Sequence, residues 1–194
     1  MSAVAPRTPS SSTLFPATEI EPTASIGVVV WMTGKPSSGK STLARALQAR
    51  LSSDEVAACV LDGDEVRSAF HPRHGYDPKS RDEYYATLAN LAALLARQGL
   101  VVMVPATAHL KTFRDRARAA APAFVEVYVQ ATQTEVEERD AKGLYRAVHE
   151  GRAGGVPGAD LGYEVPERPE VVAQGGHDTT AIEQIVTSIA ARRS

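Results

Sequence analysis

A chain of 194 residues, 43% hydrophobic and 23% charged, is long enough to bury one real core and has the composition of an ordinary globular domain. Its formal charge of −2 supplies no global basic field for nucleic acid or a membrane surface, and no apolar run approaches the ~20 residues of a membrane span. A lone cysteine, Cys59, cannot build a disulfide framework within the chain; it reads as a small buried strand residue and fits a cytoplasmic setting.

In chain order, residues 1–25 are rich in Pro, Ser, Thr and Ala, lack the apolar core of a secretory signal, and read as a flexible leader to a domain over 26–194. Strands are predicted at 27–32, 57–61, 100–105 and 124–129, with a weaker one at 170–173. Helical patterns lie at 40–51, 64–70, 79–98, 110–120, 132–138 and 180–192. In the longest, Tyr84, Leu88, Leu91 and Leu95 share one face of a 3.6-residue period, and Gly99 ends it. Near-continuous apolar strands separated by helices imply an α/β fold with a parallel sheet covered on both faces. Ligands of such sheets bind beyond the carboxyl ends of the strands.

The first strand runs into Gly34-Lys35-Pro36-Ser37-Ser38-Gly39-Lys40-Ser41, followed by Thr42 in a helix. This is G-x-x-x-x-G-K-[ST] in its strand–loop–helix context. Glycines let the backbone turn its N–H groups inward as an anion nest, and the helix N-terminus adds partial positive charge. Lys40 can reach the β- and γ-phosphates, and the Ser41 hydroxyl can ligate Mg²⁺. Gly34, Ser37, Ser38, Gly39, Lys40, Ser41 and Thr42 are therefore the candidate phosphate-binding residues.

The second strand leaves the sheet through Asp62-Gly63-Asp64-Glu65-Val66-Arg67. Asp62 can hold Mg²⁺ through water or accept the proton of an attacking hydroxyl. Asp64 can share that work or cap the following helix, and Arg67, one turn on, is a candidate anion clamp. The third strand ends in Pro105-Ala106-Thr107-Ala108-His109, where Thr107 and His109 can touch a substrate, although a histidine there also fits a hydrogen-bonded loop. His71 and His74 have no carboxylate or thiolate cluster beside them for a metal. After the fourth strand, residues 139–158 start helical and become glycine-rich and cationic; this suits either a flap that closes over phosphates or a solvated basic loop.

With these pieces placed, the chain resembles the adenylylsulfate (APS) kinase family. The resemblance rests on Val30-Trp31-Met32-Thr33-Gly34 through Thr42, Leu61-Asp62-Gly63-Asp64-Glu65-Val66-Arg67, Arg139-Asp140-Ala141-Lys142-Gly143-Leu144-Tyr145 and Tyr163-Glu164-Val165-Pro166, and covers about residues 26 to 190. It implies a three-layer P-loop kinase fold with a central, mostly parallel sheet and a helical or loop lid over about 139–166. It further implies transfer of the γ-phosphoryl group of MgATP to the ribose 3′-hydroxyl of APS, usually by a homodimer, with ATP and Mg²⁺ as cofactors. Carried over by position, Asp62 resembles the carboxylate that orients or deprotonates the acceptor hydroxyl, with Lys40 at the phosphates. Arg139 resembles the arginine that packs on the ATP base, and Arg67, Arg81 and Lys142 resemble acceptor-side groups.

The acceptor side departs from the family pattern. Ala106 and Val156 stand where the resemblance leads one to expect two phenylalanines around the APS adenine. Tyr84-Tyr85-Ala86-Thr87 replaces Asn-Ile-Arg-Arg, and Thr107-Ala108-His109 replaces Ile-Ser-Pro. Loss of both aromatic walls would cost about 2–6 kcal/mol of stacking. These changes favour an acceptor other than APS in a reshaped pocket that Tyr84 helps to line, and the retained Arg67, Arg81 and Lys142 make it an anionic one. Two alternatives stand beside it: a working APS kinase whose adenine platform is rebuilt, with Tyr84 and Tyr85 as candidates, and a non-catalytic nucleotide-binding protein.

Overall fold

The computed structural model describes residues 26–71, 74–140 and 142–193. The expected leader over 1–25 lies outside the described residues. Five strands form one parallel sheet: β1 (Val28–Thr33), β2 (Ala58–Val60), β3 (Val101–Pro105), β4 (Phe124–Gln130) and β5 (Val171–Gln174). Their order is β2-β3-β1-β4-β5, so β1 is central and its carboxyl end opens between those of β3 and β4. All four neighbouring pairs are parallel, which the long helical crossovers require.

Strand alternation splits the apolar residues into two cores. Val28, Val30 and Met32 face α1 (Lys40–Ser53) and α7 (Thr179–Arg193), packing on Leu43, Leu47, Leu51, Ile185 and Ile189. Val29 and Trp31 face α3 (Pro78–Ala96) and α4 (Lys111–Ala120), packing with Tyr84, Tyr85, Leu88 and Phe113. Every residue of β1 and β3 is buried, which is why those strands read as unbroken apolar runs. The result is the three-layer α/β architecture expected, with the short β2 and β5 at the edges.

Two details differ from expectation. Asp62, not Asp64, caps α2 (Gly63–Ala69): its carboxylate accepts from the Asp64 N–H at 3.0 Å. Beyond α5 (Gln133–Arg139), the flap contains a separate short helix, α6 (Leu144–His149), whose entry needs the left-handed Gly143, φ +65°.

Candidate active site

The phosphate loop is built by close approach. A Cβ on Gly34 would lie 2.5 Å from the Val129 carbonyl oxygen and 2.7 Å from Ser38 Oγ, so only glycine fits. Ser37 and Gly39 take left-handed backbone, φ 63° and 102°, which curls the loop into the start of α1. Ser38 is fully buried and its Oγ has no partner among the described residues. The Lys40 ammonium donates to the carbonyls of Gly34 at 2.9 Å and Lys35 at 2.7 Å. Burial lowers its pKa to about 8, against the raising pull of Asp64 and Asp62.

The end of β2 meets this loop directly. Ser41 Oγ donates to Asp62 Oδ2 at 2.5 Å, while Asp62 Oδ1 holds the α2 N-cap. Two oxygen donors thus converge at the mouth of the anion nest, and Asp62 is only 9% exposed. Such a pair suits Mg²⁺, which takes one or two protein oxygens and shares the rest of its shell with water and phosphate. Among the described residues, no group of three or more His, Cys, Asp or Glu could hold a metal ion alone.

Around the loop, Thr42 packs against Gly176, and the Arg139 guanidinium lies over the adjoining Gly175 turn, 3.8 Å from where a Cβ would stand. Arg139 is exposed and also pairs with Glu135 at 3.3 Å. The segment after α5 reaches back to the phosphate loop and to the end of β2. Tyr145 of α6 donates to the Pro36 carbonyl at 3.2 Å, and Lys142 pairs with Asp64. Burial opposes the Lys142 charge, but the bond to Asp64 outweighs it and raises the pKa.

Where the acceptor-side residues were expected, the cations are layered with aromatics. The Arg67 guanidinium lies 3.6 Å from the Tyr84 ring centroid and 4.7 Å from that of Tyr76, and donates to the Gly75 carbonyl at 2.7 Å. Arg81 donates to the Tyr76 carbonyl at 2.5 Å and to the Gly155 carbonyl of the flap at 2.6 Å. Arg67 is 4% exposed and Arg81 is 8% exposed, so both are committed to shaping the pocket rather than standing free as clamps. Tyr84 was expected to line the pocket; instead it is 1% exposed, its hydroxyl donates to the Gly63 carbonyl, and its ring is covered by Arg67. Tyr85 is likewise buried, stacked on Phe113 at 4.5 Å. Neither tyrosine can offer a face to a base.

Among the described residues, the exposed aromatic of this stack is Tyr76. It is 60% exposed and sits over Arg67 with Arg81 beside it, at 5.6 Å. The signal in the sequence was an isolated tyrosine in a polar turn just before the Asp77 cap of α3. Ala106, which the resemblance put at an aromatic wall, is 5% exposed and backs onto Gly63. Val156 is 7% exposed in a flap turn whose N–H groups are held by Asp160.

The loop after β3 is tied to β1 and to the 163–164 segment. Thr33 Oγ1 donates to the Thr107 carbonyl at 2.6 Å and meets the Tyr163 hydroxyl at 2.9 Å, which straps the flap to the sheet. Glu164 N–H donates to the His109 carbonyl at 2.8 Å. His109 is 4% exposed, its Nδ1 has no partner among the described residues, and burial, with the nearby Arg81 charge, lowers its pKa to about 4. It is a neutral imidazole.

The family model for adenylylsulphate kinase matches residues 26–174. The chain is 37% identical over 163 residues to an adenylyl-sulfate kinase of Microcystis aeruginosa, covering 84% of this chain and 89% of that one. It is 42% identical over 153 residues to a probable bifunctional SAT/APS kinase of Sorangium cellulosum, covering 79% of this chain but spanning only 26% of that longer protein. The Mycobacterium tuberculosis APS kinase CysC, solved in complex with AMPPNP and APS, superposes with a TM-score of 0.79 at 31% identity, covering 84% of this chain and 98% of that one.

Proposed function

The chain belongs to the adenylylsulphate kinase family, and from that premise we propose that it transfers the γ-phosphoryl group of MgATP to the 3′-hydroxyl of adenylyl sulfate. The coarser statement, an ATP-dependent phosphotransferase acting on a hydroxyl, follows from the family itself. The observation that carries the finer one is Tyr76: an exposed ring, backed by Arg67 and flanked by Arg81, at the rim of the site that holds Asp62. Stacking on such a ring supplies about 1–3 kcal/mol per base, about half of the aromatic deficit inferred from Ala106 and Val156.

In this reading Lys40 and the loop amides hold the ATP phosphates, and Ser41 with Asp62 holds Mg²⁺, which would neutralise charge on the phosphates. Arg139 packs on the ATP base. Asp62 accepts the proton of the attacking hydroxyl. Asp64, Arg81, Lys142, Thr107 and His109 frame the acceptor, with Arg67 acting through Tyr76. The domain spans 26–194 with a lid over about 139–166, and works as a cytoplasmic homodimer; among the described residues no helix is long and apolar enough to cross a membrane.

An acceptor other than adenylyl sulfate is the second reading. It keeps one observation in its favour: Ala106, Ala108 and Val156 are small and buried where the resemblance calls for larger groups. ADP release coupled to added adenylyl sulfate, run beside a panel of hydroxylated anionic metabolites, separates the two. Turnover with adenylyl sulfate at the rate of ordinary family members supports the first. Turnover with another metabolite alone supports the second. ATP binding without transfer to any of them would leave a nucleotide-binding protein.

A further inference from the structure

The backbone leaving β3 is strained and held from several sides. Ala108 has φ 39°, in the left-handed region where a Cβ crowds the chain. It is fully buried, so its polar backbone groups cannot turn to water. Its N–H donates to the Tyr85 hydroxyl at 2.9 Å, and its carbonyl accepts from Arg114 Nη1 at 2.8 Å. Arg114 is 3% exposed and is itself fixed by Glu126 at 2.9 Å. One residue is therefore gripped from α3, α4 and β4 together. The flanking groups are tied as well, through Ala106 N–H to the Met32 carbonyl at 3.0 Å and through the Thr107 and His109 carbonyls described above.

Strained backbone persists where its surroundings over-determine it, and it concentrates at binding sites. This loop lies at the carboxyl end of a parallel strand, between the ends that carry Asp62 and the phosphate loop. The Tyr85 hydroxyl is the acceptor that the buried Ala108 N–H finds here, so the bond ties α3 to the loop after β3.

We propose that Tyr85 is a positioning residue for the acceptor. Its hydroxyl, with Arg114 opposite, fixes Ala108 in the left-handed conformation and sets Thr107 and His109 as a rigid wall beside Arg81. The proposal rests on the reading above only for its probe, adenylyl sulfate.

Tyr85→Phe removes the hydroxyl and keeps the ring on Phe113. The expected result is a rise of about tenfold in KM for adenylyl sulfate, with KM for ATP and kcat within about twofold. Adding Ala108→Gly to Tyr85→Phe restores the acceptor KM, because glycine holds a positive φ without a tether. A packing role alone predicts no such rescue. Hydrogen–deuterium exchange needs no acceptor: in Tyr85→Phe the 105–110 segment exchanges faster while the β1 amides stay protected. Unchanged exchange overturns the tether. An unchanged acceptor KM, or failure of Ala108→Gly to rescue it, overturns the positioning role. A wild-type protein inert toward adenylyl sulfate overturns the proposed acceptor instead, and the exchange result then decides the tether by itself.

Discussion

Ser41 Oγ donates to Asp62 Oδ2 at 2.5 Å, joining the end of the phosphate loop to the end of β2. The bond places the carboxylate proposed to accept the hydroxyl proton directly beside the hydroxyl proposed to bind the metal. Asp62→Asn should lower kcat by about 10²–10⁴ while ATP affinity changes only a few-fold. Asparagine still caps α2, so the fold should survive. Single-turnover phosphoryl transfer checks the first effect and calorimetric ATP titration the second. Transfer at the wild-type rate would remove Asp62 from the role of base.

ATP binding should take up a proton near pH 8. Free Lys40 is held at about 8, chiefly by burial. Phosphate beside the ammonium favours the charged form and raises that value in the complex. Affinity should therefore be level below pH 7 and weaken as pH rises through 8, by up to about tenfold per pH unit. Titration in buffers of different ionisation enthalpy measures the uptake directly. Lys40→Met should abolish it.

Tyr76→Ala should raise KM for adenylyl sulfate by roughly five- to a hundredfold, the worth of one stacked base, with little change in KM for ATP. Tyr76→Phe should behave as the wild type, because only the ring face is used. If the alanine variant binds adenylyl sulfate normally, the exposed ring is not the base platform.

The fold should lose stability in acid through His109. Its folded pKa, about 4, lies below the ordinary value of 6.5, so the unfolded chain binds the proton more readily. The contribution is complete above about pH 6.5 and is lost as pH falls toward 4, on the order of 3 kcal/mol. Urea unfolding across that range should show the slope. His109→Gln should flatten it.

The strands at 27–32, 57–61 and 100–105 were legible as apolar runs and those at 124–129 and 170–173 by alternation of buried with less buried residues, and all five are present in parallel. The phosphate loop was legible for a different reason: its function depends on backbone shape, and the residues that permit that shape, Gly34 and Gly39 above all, are local in sequence. The acceptor side was not. Tyr84 and Tyr85 read as possible pocket residues, yet the helical period that made α3 recognisable also turns both into the core. Tyr76 stands outside any periodic element, so only its place in a polar turn before Asp77 marked it.

The family, the parallel sheet and the phosphate loop are each written in consecutive residues or in a regular period. Packing sets the rest: that Tyr76 faces solvent, that Arg67 lies between two rings, and that Asp62 rather than Asp64 caps α2 while bonded to Ser41. Those facts depend on distances between residues far apart in the chain, such as Thr33 to Tyr163 and Tyr85 to Ala108, which packing sets and spacing along the chain does not record.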